Sequence, residues 1–319
     1  MSEYENLLRQ IKSQVPVDES FDLLERKLKI GERDATMFFV DGLVDGDVMQ
    51  RVVASLQGLD KKTVDRAKTA GEFMAYNLAF LDCLLASDMK QGIQFLYSGL
   101  IPLLIDGYDQ IIIIDGRDYP LRSVAEPSKE KSLRGAKDGF VEAMMMNIAL
   151  LRRRIRDNAL IFKIYAVGDV TKTDVALAYM KDRADQDMVK KMDQTLKQLR
   201  LRGLTVTEQT LVEALTGKKL SWCNPFPKVR YSQRPDIIAA HVEEGKLAVI
   251  VDNSPTVILL PAGIFDFLQD IDDYYFPQIT GNYFRLLRTI NFMVILFLTP
   301  IYMLIIEYEE FTPETLRFF

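Results

Sequence analysis

The sequence predicts an α/β fold: two tandem related α/β subdomains in the cytoplasm, followed by a C-terminal transmembrane helix. Three observations predict it. Strand-length aliphatic runs alternate with amphipathic helical stretches, two blocks of sequence recur in the same order, and Leu286–Ile306 is apolar like nothing before it. At 319 residues, 48% hydrophobic and 27% charged, the chain can bury a substantial core, and its length fits two domains of roughly 150 residues.

Residues 1–20, "MSEYENLLRQIKSQVPVDES", are polar and amphipathic and lack the apolar core of a signal peptide. The first subdomain is placed at 21–126 and the second at 161–265. "DATMFFVDGLVDGDVMQRVVASLQ" (34–57) matches "DVALAYMKDRADQDMVKKMDQTLK" (174–197) at a constant offset of 140. Each reads as a strand, a loop and an amphipathic helix whose N-cap is Asp45 or Asp185. "SGLIPLLIDGYDQIIII" (98–114) aligns without a gap on "EGKLAVIVDNSPTVILL" (244–260), so Gly99 meets Gly245 and Asp106 meets Asp252. Both glycines follow a helical pattern in the position after its last turn, where a left-handed backbone ends helices.

The aspartates of the first copy, Asp106, Asp109 and Asp115, raise the question of a carboxylate site. The second copy answers it with Asn253, Ser254 and Pro261 where the first has Gly107, Tyr108 and Asp115, so Asp106 and Asp252 read as hairpin-turn residues. A linker, 127–160, opens polar and becomes a helix with Phe140, Met144, Ile148, Leu151 and Ile155 on one face. Met144–Met146 read as core filler. Arg152, Arg153, Arg154 and Arg156 read as a solvated face at the helix C-terminus, favoured by the dipole, rather than as a phosphate or lipid site.

Several function classes find no residues to work with. The net charge of −5 and the absence of a basic field argue against a nucleic-acid binder. Cys83 and Cys223 stand too far apart for a metal knuckle, and the single histidine, His241, leaves no zinc set or histidine triad. His241 aligns with Phe95, which predicts a packing role. "LTGKKL" (215–220) lacks the upstream glycine of a phosphate loop, and Trp222 in its proline-bearing loop reads either as loop packing or as the lining of a ligand pocket. No catalytic, metal or cofactor site is expected, and no ligand-binding residues emerge.

Residues 266–285 form an aromatic-rich juxtamembrane approach, 286–306 the membrane helix and 307–319 an extracytoplasmic tail. As a helix, Leu286–Ile306 would rise about 31 Å, against about 30 Å of hydrocarbon. Arg285 precedes it, Arg288 sits in its first turn and only Arg317 follows, which keeps the subdomains in the cytoplasm. Asn291 and Thr299 share one helix face and read as a helix-contact stripe.

Several separated stretches, in order over about residues 21–316, resemble the A-subunit family of spore germination receptors, the GerA family. They are "LKIGERDATMFFVDGLVD" (28–45), "RGAKDGFVEAMMMNIALLRRRIRD" (134–157), "NPFPKVRYSQRPDIIAAHVEEGKLAVIVDNSPTVILLPA" (224–262) and "GNYFRLLRTINFMVILFLTPIYM" (281–303). "EPSKEKSLRGAKDGF" and "VDNSPTV" bring the chain closer to the stage V sporulation AF branch than to the receptor subunits. The resemblance implies a non-enzymatic protein of the spore inner membrane. Membrane lipid, other germination-complex subunits and a homo-oligomer would be its partners, and nutrient sensing or ion release its role. The family continues through more membrane helices than this sequence contains. The alternative is a membrane-tethered sensor or scaffold that binds a small ligand between its two subdomains.

Overall fold

The strands build two five-stranded sheets of one design. The computed structural model describes residues 3–78, 82–119, 137–168, 172–199, 211–212, 229–263 and 278–307. The first sheet has β1 (Leu23–Ile30), β2 (Arg33–Val40), β3 (Cys83–Leu85), β4 (Ile101–Ile105) and β5 (Ile112–Ile114), ordered β1-β2-β4-β5-β3. The second has β6 (Leu160–Val167), β7 (Thr173–Met180), β8 (Arg230–Ser232), β9 (Leu247–Val251) and β10 (Val257–Leu260), ordered β6-β7-β9-β10-β8. All neighbours are antiparallel.

The helices repeat too. In the first half they are α1 (Glu3–Gln14), α2 (Gly46–Gln57), α3 (Lys61–Arg66), α4 (Ala70–Asn77) and α5 (Met89–Tyr97). In the second they are α6 (Met144–Arg154), α7 (Gln186–Gln198) and α8 (Pro235–Glu243). Asp45 caps α2 by accepting from the amides of Asp47 and Val48, and Asp185 caps α7 through Asp187 and Met188. α5 and α8 end in one Schellman motif. Gly99 N–H bonds Leu96 O and Leu100 N–H bonds Phe95 O; Gly245 N–H bonds Val242 O and Lys246 N–H bonds His241 O. Both glycines are left-handed, at φ +84° and +96°, as that cap requires.

α1 packs on β4 and α5, while α6 packs on β9 and α8. By packing, then, α6 holds in the second half the place that α1 holds in the first. Phe140, Met144, Ile148, Leu151 and Ile155 are all buried against the second sheet. α6 also reaches the first half: a Cβ on Gly42 (φ +80°) would meet Ala149 Cβ at 2.9 Å, so only glycine lets this turn approach the helix. Both sheets belong to one compact unit, residues 1–130 and 137–261.

The last element, α9 (Gln278–Glu307), lies in a second unit, residues 131–136 and 262–319. Within it Ile279–Leu304 is long and apolar enough to cross a membrane by length and composition, and none of that window is buried. The helix starts upstream of Leu286 because "QITGNYFR" contains nothing that stops one. Its 26-residue span is about 39 Å long, enough to cross about 30 Å of hydrocarbon with tilt. Pro300 sits inside it.

Candidate functional site at the junction of the two sheets

Arg152, in the last turn of α6, does not face water, which corrects its reading as part of a solvated face; Arg153 and Arg154 are half-buried and Arg156 is exposed. Arg152 and Asp22 are both fully buried, and they pair across the two halves. Nε donates to Asp22 Oδ2 at 2.6 Å and Nη2 to Asp22 Oδ1 at 3.0 Å, the two-pronged geometry that recovers most of the cost of desolvating both charges. Nη2 also donates to Leu160 O at 2.9 Å and Nη1 to Asp157 O at 3.0 Å. The guanidinium lies 5.5 Å from the Tyr97 ring and 5.1 Å from the Phe162 ring. Ser20 completes the joint: its hydroxyl donates to Asp22 Oδ1 at 2.6 Å and accepts from Phe162 N–H at 3.0 Å. Phe21 N–H donates to Phe162 O at 2.9 Å, so the strand edges of the halves are stitched at this one end. The neighbouring arginines are engaged as well. Arg153 lies over Tyr119 at 4.6 Å, Arg154 binds Asp138 at 2.5 Å and Arg156 reaches Ser98 Oγ at 3.4 Å.

Beyond the stitch the strands part, leaving an open groove of about 570 Å³ walled by Ser20, Phe21 and Leu24 on one side and Ile164, Tyr165 and Lys197 on the other. Its polar groups converge on each other. Tyr165 OH donates to Asp193 Oδ1 at 2.6 Å and Lys197 Nζ to Asp193 Oδ2 at 2.7 Å. Burial pushes the Asp193 carboxyl up, but the bonds from Lys197 and Tyr165 outweigh it and hold the group below the usual range. Burial, then the bond to Asp193, pushes the Tyr165 phenol well above its ordinary value. A cluster of this kind orders the wall of the groove.

The remaining sequence candidates fall elsewhere. Asp106 N–H bonds Asp34 O at 2.8 Å and Asp252 N–H bonds Asp174 O at 3.0 Å, so both aspartates open equivalent turns. Asp252 adds a second task, since its Oδ1 accepts the N–H of Met144 at 3.1 Å and so caps α6. Asp109 is exposed in its turn, and the Asp115 carboxylate is held by Arg117, whose hydrogen bond lowers its pKa. Tyr108 turns inward and donates to Ala67 O at 3.1 Å. His241 is 1% exposed, with Nδ1 at 3.0 Å from Glu244 Oε2 and Nε2 at 3.3 Å from Arg230. Burial lowers its pKa, partly offset by Glu244. Cys83 is half-buried, and burial raises its thiol to about 11. "LTGKKL", Trp222 and Cys223 lie outside the described residues. Among the described residues no group of three or more His, Cys, Asp or Glu is placed to hold a metal ion. Sequence reasoning misses Asp22 and Ser20 altogether. Nothing local marks a pairing of Asp22 with Arg152 130 positions away.

The profile of the family described as "Bacillus/Clostridium GerA spore germination protein" matches residues 9–319. Stage V sporulation protein AF of Bacillus subtilis is 32% identical over 307 residues, 96% of this chain and 62% of that protein. The uncharacterized membrane protein YfkQ of the same organism is 29% identical over 281 residues, 88% of this chain and 54% of that one. This chain thus spans little more than half the length of these relatives. Among solved structures, the N-terminal domain of the A subunit of the Bacillus megaterium spore germinant receptor GerK3 superposes with a TM-score of 0.59. It is 26% identical and covers 81% of this chain and 94% of that one.

Proposed function

Because this chain belongs to the GerA family of spore germination proteins, we propose that it works as a membrane-anchored germination protein that transmits assembly or signal and does no covalent chemistry. Residues 21–126 and 161–265 act as its two cytoplasmic subdomains, 286–306 crosses the spore inner membrane, and 307–319 emerges beyond it. Other germination subunits, further copies of the chain and membrane lipid are its partners, and its output is a contribution to nutrient sensing or ion release. The single observation that carries the reading is the coupling of two features in one sequence. A family match over residues 9–319 coincides with an unburied apolar span at Ile279–Leu304. The buried joint at Arg152 supports it further, because a part that relays force or contact must move as one body.

The experiment pairs location with phenotype. The full chain should stay with membranes after an alkaline carbonate wash, whereas a chain ending at residue 263 should be released. Spores lacking the protein should release dipicolinate more slowly than wild-type spores under nutrient. A full chain washed off by carbonate, or mutant spores with wild-type release, would contradict the reading.

A further inference from the structure

The groove between β1 and β6 has walls of an unusual kind: each is the free edge of a sheet. In the second sheet, Lys181 N–H bonds Ala159 O, which sets the alternation of the ladder. The odd residues of β6 therefore face β7, and Leu160, Phe162, Ile164 and Ala166 point their backbone groups outward. Leu160 O accepts from Arg152, and Phe162 is engaged on both sides by Ser20 and Phe21. Ile164 and Ala166 are left with outward amides and carbonyls that no described residue meets. β1 follows the same rule. Asp41 N–H bonds Asp22 O, so Leu23, Glu25 and Lys27 face away from β2.

The two edges are defended differently. β1 reads LLERKLKI and carries exposed Arg26, Lys27 and Lys29, the usual guard against strand pairing. β6 reads LIFKIYAV, with one charge in eight residues. Across from its open stretch stand two exposed apolar side chains, Phe21 at 45% and Leu24 at 37%. Charge also divides along the groove. Asp18 and Glu19 lie at the stitched end, where Glu19 is held by Lys181 at 2.6 Å. At the open end Lys163 and Lys197 share the single carboxylate of Asp193. Two lysines on one carboxylate leave that end with an excess of one positive charge.

We propose that this groove receives an extended, acidic segment of a partner protein, which adds as a strand to the free edge of β6. The occupant alternates: its backbone pairs with Ile164 and Ala166, its apolar side chains cover Phe21 and Leu24, and its carboxylates meet Lys163 and Lys197. The stitch at Phe162 limits how far it can enter, which fixes its register. The inference goes beyond the membrane role above and does not rest on it.

The test uses the detergent-solubilised full chain and a fluorescent eight-residue peptide of alternating aspartate and valine. Three outcomes are expected. The peptide binds, its lysine-for-aspartate counterpart binds at least tenfold more weakly, and hydrogen exchange at the Ile164 and Ala166 amides slows on binding. Ala166→Pro removes an outward amide that the ladder with β7 does not use, and should weaken binding at least tenfold. Lys163→Glu combined with Lys197→Glu should do the same by charge. Slowed exchange in the unaltered protein carries the proposal even if a variant misfolds. No binding at millimolar peptide, or binding that leaves the Ile164 and Ala166 amides exchanging as before, would overturn it.

Discussion

The two halves share strand order, helix caps and glycine stops, yet they treat their first strands and their first helices in opposite ways. α1 closes the first half with ordinary contacts, such as Tyr4 OH to Thr36 Oγ1 at 2.7 Å and Lys12 to Glu25. α6 closes the second half and also enters the first, with Arg152 buried on Asp22 and Ala149 against Gly42. The shared features are what any copy of the fold needs. The unshared ones, the buried joint and the open groove beside it, are where this molecule commits itself to being one body with a usable edge.

The largest expected effect breaks the joint. Arg152→Ala leaves the Asp22 carboxylate buried without its partner, which should cost about 3–5 kcal/mol. Arg152→Met with Asp22→Leu should recover most of that loss, because no charge is left stranded. Urea titration of the detergent-solubilised chain followed by tryptophan-independent circular dichroism reads both values. A cost below about 1 kcal/mol for Arg152→Ala would place the pair at the level of a surface bridge.

The glycine stops test whether equivalent positions are equally constrained. A Cβ on Gly245 would lie 2.6 Å from Arg183 O, a backbone atom that cannot step aside, whereas on Gly99 it would meet Leu43 Cβ at 3.1 Å. Gly99→Ala should cost about 1–2 kcal/mol for its left-handed backbone, and Gly245→Ala clearly more. Equal costs would mean that the Arg183 turn relaxes freely. Asp45→Ala and Asp185→Ala make the opposite comparison: each removes a cap of the same geometry and should cost about 1 kcal/mol, the two agreeing within error.

The smallest effect concerns pH. Burial first, with Glu244 partly opposing, holds the His241 pKa below its ordinary 6.5. The unfolded chain therefore binds the proton first, so stability is fully present above about pH 6.5 and falls as pH drops through the lowered folded value. His241→Phe, the residue that Phe95 places in the first half, should flatten that slope between pH 7 and 5. An unchanged slope would assign the acid sensitivity to other groups.

Much of this architecture is legible in the sequence because it rests on local chemistry. Asp45, Asp185, Gly99 and Gly245 act within a few residues of themselves, and the aliphatic runs of β4 and β9 are strands wherever they sit. The basic run after Leu151 is misread because its local signal, cations at a helix end, is real; only the tertiary partner Asp22 distinguishes Arg152 from its neighbours. The matching places of α1 and α6 escape for a related reason. Their sequences share little, and packing on β4 and β9 alone reveals the correspondence. The groove escapes because an edge is defined by what fails to pair with it.

The most direct test of the central claim, that the two sheets are one body, is hydrogen exchange along a urea titration. Amides of β4 (Ile101–Ile105) and β9 (Leu247–Val251) report the centre of each sheet. Both should lose protection at the same urea concentration, and should separate once Arg152 is replaced by alanine. If β4 opens well before β9 in the unaltered chain, the Arg152–Asp22 joint does not unite the halves.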